Sequence, residues 1–243
     1  MCIVSFIPFN NKVLITHNRD EKSSRAKALF PKEYTVHGYT LLFPRDGDSG
    51  GTWIACNKNG DAAVLLNGAF EKHTQQPAYR KSRGLVFVDI FAASDTYLSY
   101  CNVDLTGIEP FTVVLWSNST LYECRWDGSK KHVIKKDASA PYTWSSVTLY
   151  DEAIMLKRQT WFHNWLRLHP SPSIDEVIQF HLSAGDGDLH NSLRMNRSNT
   201  LLTVSITAME IHENKSIMKY LDLQDDSITV HELVFTKAAV IPS

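Results

Sequence analysis

Cysteine is scarce in this chain: four among 243 residues, at positions 2, 56, 101 and 124. No two are spaced as CxxC, which excludes a zinc knuckle and a haem-attachment motif, and the low count fits a reducing compartment. The histidines contain no HExxH or HxH pattern, so no metal site is readable. His37 beside Gly38 has no supporting partner and reads as a turn or surface residue rather than a haem ligand. Asp186-Gly187-Asp188 with Asn191 lacks the Gly and Glu positions of a calcium loop. An excess of one charge sign is also missing: a formal net charge of -1 gives no electrostatic case for nucleic acid or an anionic membrane. Long apolar runs are absent. Pro8, Asn10 and Lys12 interrupt the N-terminal stretch before it takes signal-peptide form, and nothing reaches the length of a transmembrane helix. The expectation is a cytoplasmic protein without a cofactor.

What is present is enough apolar material, 43% of the chain with 11% aromatic, for one large core or two layered ones in a single domain over residues 1–243. Strand patterns run over 2–8, 12–17, an extended piece near 33–43, then 52–57 and 62–67, where Asn59-Gly60 marks a hairpin turn. Helices are expected over 83–94 and again after Asp95. Strands resume at 111–117, 120–126 and 131–135. Residues 151–167 form the clearest helix, with an apolar stripe through Ile154, Leu156, Trp161, Phe162, Trp165 and Leu166 that stops before His169-Pro170. A short helix over 174–182 precedes final strands at 201–211, 216–222 and 227–232. Strands grouped at both ends with helices between them do not alternate as βαβ units, which argues for an antiparallel α+β sandwich. The segments 77–82 and 137–142 are the candidates for mobile covers.

Cys2 draws the chemistry. Once Met1 is trimmed, a thiol and a free α-amine share one residue, and an amine of pKa about 8 can serve its own side chain as general base. The plainer reading is a small apolar residue opening a buried strand. CIVSFIPF and KVLITH, separated by Asn10-Asn11, read as a hairpin. That pairing returns the end of the second strand, Asn18-Arg19-Asp20-Glu21, toward Cys2. Arg19 would lower a thiolate pKa there, and Asp20 would hold an ammonium or orient the arginine. A solvated loop is the competing reading of those four polar residues. Gly50 and Gly51, ahead of Thr52-Trp53, read either as a tight turn or as a backbone whose N–H groups face an anion. Asn67, at the exit of the 62–67 strand, reads as a turn cap or an oxyanion donor.

Met1-Cys2-Ile3, His17-Asn18-Arg19-Asp20-Glu21, Gly50-Gly51-Thr52-Trp53, Leu66-Asn67 and Ser82-Arg83-Gly84 occur in the order typical of the NRDE family, which includes the eukaryotic transport and Golgi organisation proteins. The chain resembles this family most through residue 90. Beyond it the likeness rests on Ser145-Ser146 before Leu149-Tyr150-Asp151 and on Arg197-Ser198-Asn199-Thr200. Ser146 stands where family members often carry Asn. The resemblance implies an N-terminal nucleophile hydrolase-like fold, a four-layer αββα sandwich of two antiparallel sheets flanked by helices. It implies Cys2, Arg19, Asp20 and Asn67 as the catalytic set and Asn18, Gly50, Gly51, Trp53, Arg83 and Arg197 around a substrate. The expected chemistry is hydrolysis or transfer at an amide, ester or thioester of a small acyl-bearing molecule. The alternative is a non-catalytic carrier of haem or of a lipid or acyl-coenzyme A ligand, and a third reading keeps the fold for interaction alone.

Overall fold

A computed structural model describes residues 3–236. Its strands are β1 (Ile3–Phe9), β2 (Lys12–Lys22), β3 (Leu29–Val36), β4 (Tyr39–Arg45), β5 (Ile54–Asn57), β6 (Ala62–Asn67), β7 (Phe111–Ser117), β8 (Thr120–Trp126), β9 (Lys131–Lys136), β10 (Tyr142–Ser145), β11 (Asn196–Arg197), β12 (Leu201–Ile211), β13 (Lys215–Asp222) and β14 (Ser227–Val234). Its helices are α1 (Arg83–Phe91), α2 (Thr96–Asn102), α3 (Glu152–Leu168) and α4 (Ile174–Ser183).

The strands form two 7-stranded sheets. One runs β3 to β9 in sequence order; the other is ordered β10-β1-β2-β12-β13-β14, with β11 on β12. All pairings are antiparallel, and the N-terminal hairpin lies inside the second sheet, joined to the C-terminal strands through β2 and β12.

Alternation along the strands sorts the side chains into layers. Val4, Phe6, Val13 and Ile15 face the other sheet and pack with Leu42, Ile54, Val64, Val114 and Trp116. Ile3, Ile7 and Leu14 point the other way, against Phe162 of α3 and Val177 and Phe180 of α4. On the outer face of the first sheet, Ala63, Leu65 and Leu115 meet Phe87 and Phe91 of α1 and Tyr100 of α2. The result is the αββα sandwich. Each helix begins at a side-chain cap: Ser82, Asp95 and Asp151 accept from backbone N–H groups, and Ser173 forms a capping box with Glu176.

The structure departs from the sequence expectations in particular places. β2 does not stop at His17; it runs through Asn18, Arg19, Asp20 and Glu21, because β12 pairs with it as far as Lys22. The extended piece near 33–43 is two strands, turned at His37 (φ 48) and Gly38 (φ 83). The 137–142 segment, expected as a cover, leads into β10, an edge strand on β1. Leu156 falls off the packed stripe of α3 and is 63% exposed. The Asn10-Asn11 turn is as read, both residues left-handed at φ 47 and 56.

Candidate active site

A cavity of about 1070 Å³ lies beside the C-terminal end of β2, walled by both sheets, the N-terminus of α1 and the 72–82 segment. Arg19, Asp20, Trp53, Asn67 and Arg83 line it. Asn18, Gly50, Gly51 and Arg197 do not. Cys2 lies outside the described residues. β1 begins one residue later, at Ile3, paired with Asn18.

Arg19 faces the gap between the sheets. It is 3% exposed, its guanidinium lies 4.2 Å from the centroid of the Trp53 ring, and it forms an ion pair with Asp46. Arg25 meets the same carboxylate through Nε and Nη2, both at 2.9 Å. The Ser49 N–H and Oγ–H donate to it as well, at 2.8 and 2.9 Å. Burial pushes the Asp46 carboxyl up; Arg25, the Ser49 N–H and Arg19 outweigh that and hold it well below the usual carboxylate range. Asp46 is therefore the anion that keeps two guanidiniums at the cavity wall.

Asp20 lies on the opposite face of β2 and is 1% exposed. Thr203 donates to its Oδ1 at 2.7 Å and Tyr150 to its Oδ2 at 3.1 Å. The register of β2 and β12 shifts between Thr203 and Ser205, an irregularity beside Asp20.

Gly50 and Gly51 do their work inside the wall. Gly50 (φ +70) donates its N–H to the Asp46 carbonyl at 3.0 Å, and the Gly51 N–H faces Ser49 Oγ at 3.4 Å. Both N–H groups are directed into the turn rather than toward an anion. A Cβ on Gly51 would meet the Gly84 carbonyl carbon at 2.4 Å and the Leu85 nitrogen at 2.6 Å. The GGTW and SRG motifs are thus two sides of one close backbone contact, which seats the start of α1 on the turn that leads through Trp53 into β5. Arg83, the first residue of that helix, pairs with Glu109 at 3.1 Å and donates to the Pro110 carbonyl at 3.2 Å. Burial lowers its pKa, and Glu109 offsets part of that.

Asn67 lines the cavity with its Oδ1 enclosed and unpartnered among the described residues. Its backbone carbonyl accepts from Ser146 Oγ at 2.9 Å, so the serine at the family's asparagine position holds the Asn67 main chain.

Asn18 points into the helix layer. Its Nδ2 donates to the carbonyls of His181 and Leu193 at 3.1 and 2.8 Å, and its Oδ1 is 2.6 Å from His181 Nδ1. His181 Nε2 lies 2.8 Å from Ser5 Oγ. Burial, with Arg158 adding to it, holds the His181 pKa down at about 3, so the ring is neutral and this chain is internal bracing between α4 and β1–β2. Arg197 donates to the carbonyls of His190 and Leu149, both at 3.2 Å, rather than reaching the cavity. His37 sits on its exposed hairpin turn, 3.8 Å from Asp89.

Sequence reasoning missed Asp46, Glu109 and His181, and quoted Tyr150 within the family likeness without giving it a role. Asp46 had a signal, a carboxylate at the head of the Asp-Gly-Asp-Ser run directly before GGTW. The others come from elements far from the motifs they brace.

Solved structures with the same fold include a mutant of the conjugated bile acid hydrolase from Clostridium perfringens, with a TM-score of 0.64, 9% identity, and coverage of 96% of this chain and 92% of that one. A variant of the same hydrolase gives 0.60 and 10%, covering 100% and 99%. The Caenorhabditis elegans orthologue of N-acylethanolamine-hydrolyzing acid amidase gives 0.56 and 11%, covering 86% and 92%. At these identities the likeness is one of fold, and the fold is that of N-terminal nucleophile hydrolases. A search among curated proteins finds no match. The family model described as Transport and Golgi organisation 2 matches residues 1–220, the span that holds the NRDE strand, the GGTW turn and β12, and the chain belongs to that family.

Proposed function

We propose that this protein is an N-terminal-cysteine hydrolase or acyltransferase acting on an amide, ester or thioester bond. The observation that carries the reading is the position of the charged cavity: Arg19 and Asp20, both buried, meet it at the end of β2, directly beyond the Ile3–Asn18 pair. In this reading the Cys2 thiolate attacks the carbonyl carbon, and the α-amine takes the thiol proton and passes it to the leaving group. Asp20 holds the ammonium form of that amine, Arg19 stabilises the thiolate, and the Asn67 amide receives the oxyanion. Trp53 and Arg83 contact the substrate, and Gly50, Gly51, Asn18 and Arg197 serve the site by holding its walls. Of the two similar enzymes, the acylethanolamine-hydrolyzing one is by its name an amidase; an amide is accordingly the first bond to test.

Carriage of haem or a lipid is the weaker reading, because Arg19, Asp20, Arg25 and Arg83 put charged groups in the cavity wall, where a carrier of an apolar ligand needs apolar surface. The experiment is a panel of activated esters, thioesters and amides with intact-mass and peptide mapping. Wild type is expected to acquire an acyl group at Cys2, Cys2→Ala to acquire none, and Asn67→Ala to react roughly 10²- to 10³-fold more slowly. No adduct at Cys2 from any donor, together with equal reversible binding of haem or an acyl-coenzyme A by wild type and Cys2→Ala, sinks the enzyme reading.

A further inference from the structure

The geometry points to Tyr150 as the positioning residue of Asp20, with its phenol made a stronger donor by two arginines close to the ring; the catalytic role of Asp20 rests on the proposed acyl-transfer reading. Tyr150 is 4% exposed and does not line the cavity, so it acts only through what it touches. Arg158 lies 3.6 Å from its ring centroid and Arg197 5.3 Å. Arg158 is fully buried, donating to the carbonyls of Asn191 at 3.1 Å and Ser192 at 2.8 Å, and makes no ion pair with a carboxylate among the described residues. Its charge is met by neutral carbonyls and by the face of Tyr150. A cation near a π-face is attracted to the ring's electrons, and buried Arg158 with half-buried Arg197 draws density away from the phenol oxygen.

Within reach of the hydroxyl lie Asp20 Oδ2 at 3.1 Å and Met195 Sδ at 2.8 Å. A carboxylate accepts far more strongly than a thioether, so the proton goes to Asp20 despite the longer distance. Thr203 occupies the other carboxylate oxygen. Asp20 is thus gripped on both oxygens from two elements, β12 and the turn leading into α3, and its plane is set before any ligand arrives. The same geometry gives Arg197 a part in the site: it holds the Tyr150 ring and the Leu149 carbonyl instead of the substrate.

The test is Tyr150→Phe, which keeps the ring and both arginine contacts and removes only the hydroxyl. Single-turnover acylation of Cys2 by an activated ester is expected to slow about tenfold with the half-saturating ester concentration unchanged, while the melting temperature falls by a few degrees for the lost buried hydrogen bond. In the Asp20→Asn background the same change is expected to have little further effect. A loss confined to the half-saturating concentration, or effects of Tyr150→Phe and Asp20→Asn that simply multiply, overturns the proposal. A second readout is independent of acylation: a slowly exchanging hydroxyl proton resonance, absent in Tyr150→Phe and shifted in Asp20→Asn. Should wild type fail to acylate, the enzyme reading falls while this resonance still decides the Tyr150–Asp20 bond. A hydroxyl signal unmoved by Asp20→Asn refutes it.

Discussion

Asp46→Asn is the most revealing single change in this molecule. The side chain is 7% exposed and its carboxylate faces two guanidiniums, one of which, Arg19, is itself buried. Asparagine keeps the shape and still accepts from Ser49, so what is lost is the charge. That leaves Arg19 buried against Trp53 with no anion, and breaking a buried pair from one side costs about 3–5 kcal/mol. Removing a cation costs less: in Arg25→Ala, Arg19 and Ser49 remain on the carboxylate, and Arg25 is a third exposed. The loss there is expected near 1 kcal/mol. The pH dependence follows from the depressed Asp46 pKa. Above the unfolded carboxylate value, about 3.9, folded and unfolded states are both ionised and the contribution is complete. As pH falls below that value the unfolded state binds the proton first, and the stabilisation drains away toward the lower folded value. Urea unfolding of wild type and Asp46→Asn at pH 7, 4 and 3 measures this. The gap between them is expected to be full at pH 7 and to narrow below pH 4. A gap under about 1 kcal/mol at pH 7, or one that does not change with acid, refutes the account of Asp46 as the counter-ion of a buried arginine.

Gly51→Ala is expected to destabilise by roughly 2–3 kcal/mol, because the clash is with the Gly84–Leu85 backbone, which has no rotamer to yield; an unchanged urea midpoint would show that α1 moves freely off the GGTW turn. Iodoacetamide labelling of the native protein at pH 7 is expected to spare Cys56 and Cys124, since burial pushes the Cys56 thiol up to about 12 and raises Cys124 further. Peptide mapping that finds Cys2 labelled no faster than these two counts against a poised thiolate.

Hairpins and helices were legible because their signals are local. Asn10-Asn11 and Asn59-Gly60 accept left-handed backbone, the capping residues Asp95, Asp151 and Ser173 start helices wherever the chain goes next, and β12 runs over the residues its apolar pattern marks, Leu201–Ile211. The grouping of strands at both ends of the chain was enough to argue for the antiparallel sandwich, and the ordered motifs pointed to the family. β10 left little trace, since four residues at a sheet edge draw their strand character from β1 alone.

Tertiary structure decided what the polar residues do. Asn18-Arg19-Asp20-Glu21 reads in isolation as solvated loop; it is strand because β12 supplies backbone partners and because Asp46, Tyr150, Thr203 and His181 satisfy its side chains. A charged or amide group can be buried only where partners of matching chemistry converge on it. Those partners lie from 27 to 183 residues away in sequence, beyond the range of any local pattern. Strand alternation then assigned the neighbours opposite duties: Arg19 into the gap between the sheets, Asn18 toward α4 and Asp20 toward Tyr150 and Thr203. The sequence by itself determined which residue types the site would hold; which of them meet the cavity, and which only brace it, depended on how two sheets and four helices close around them.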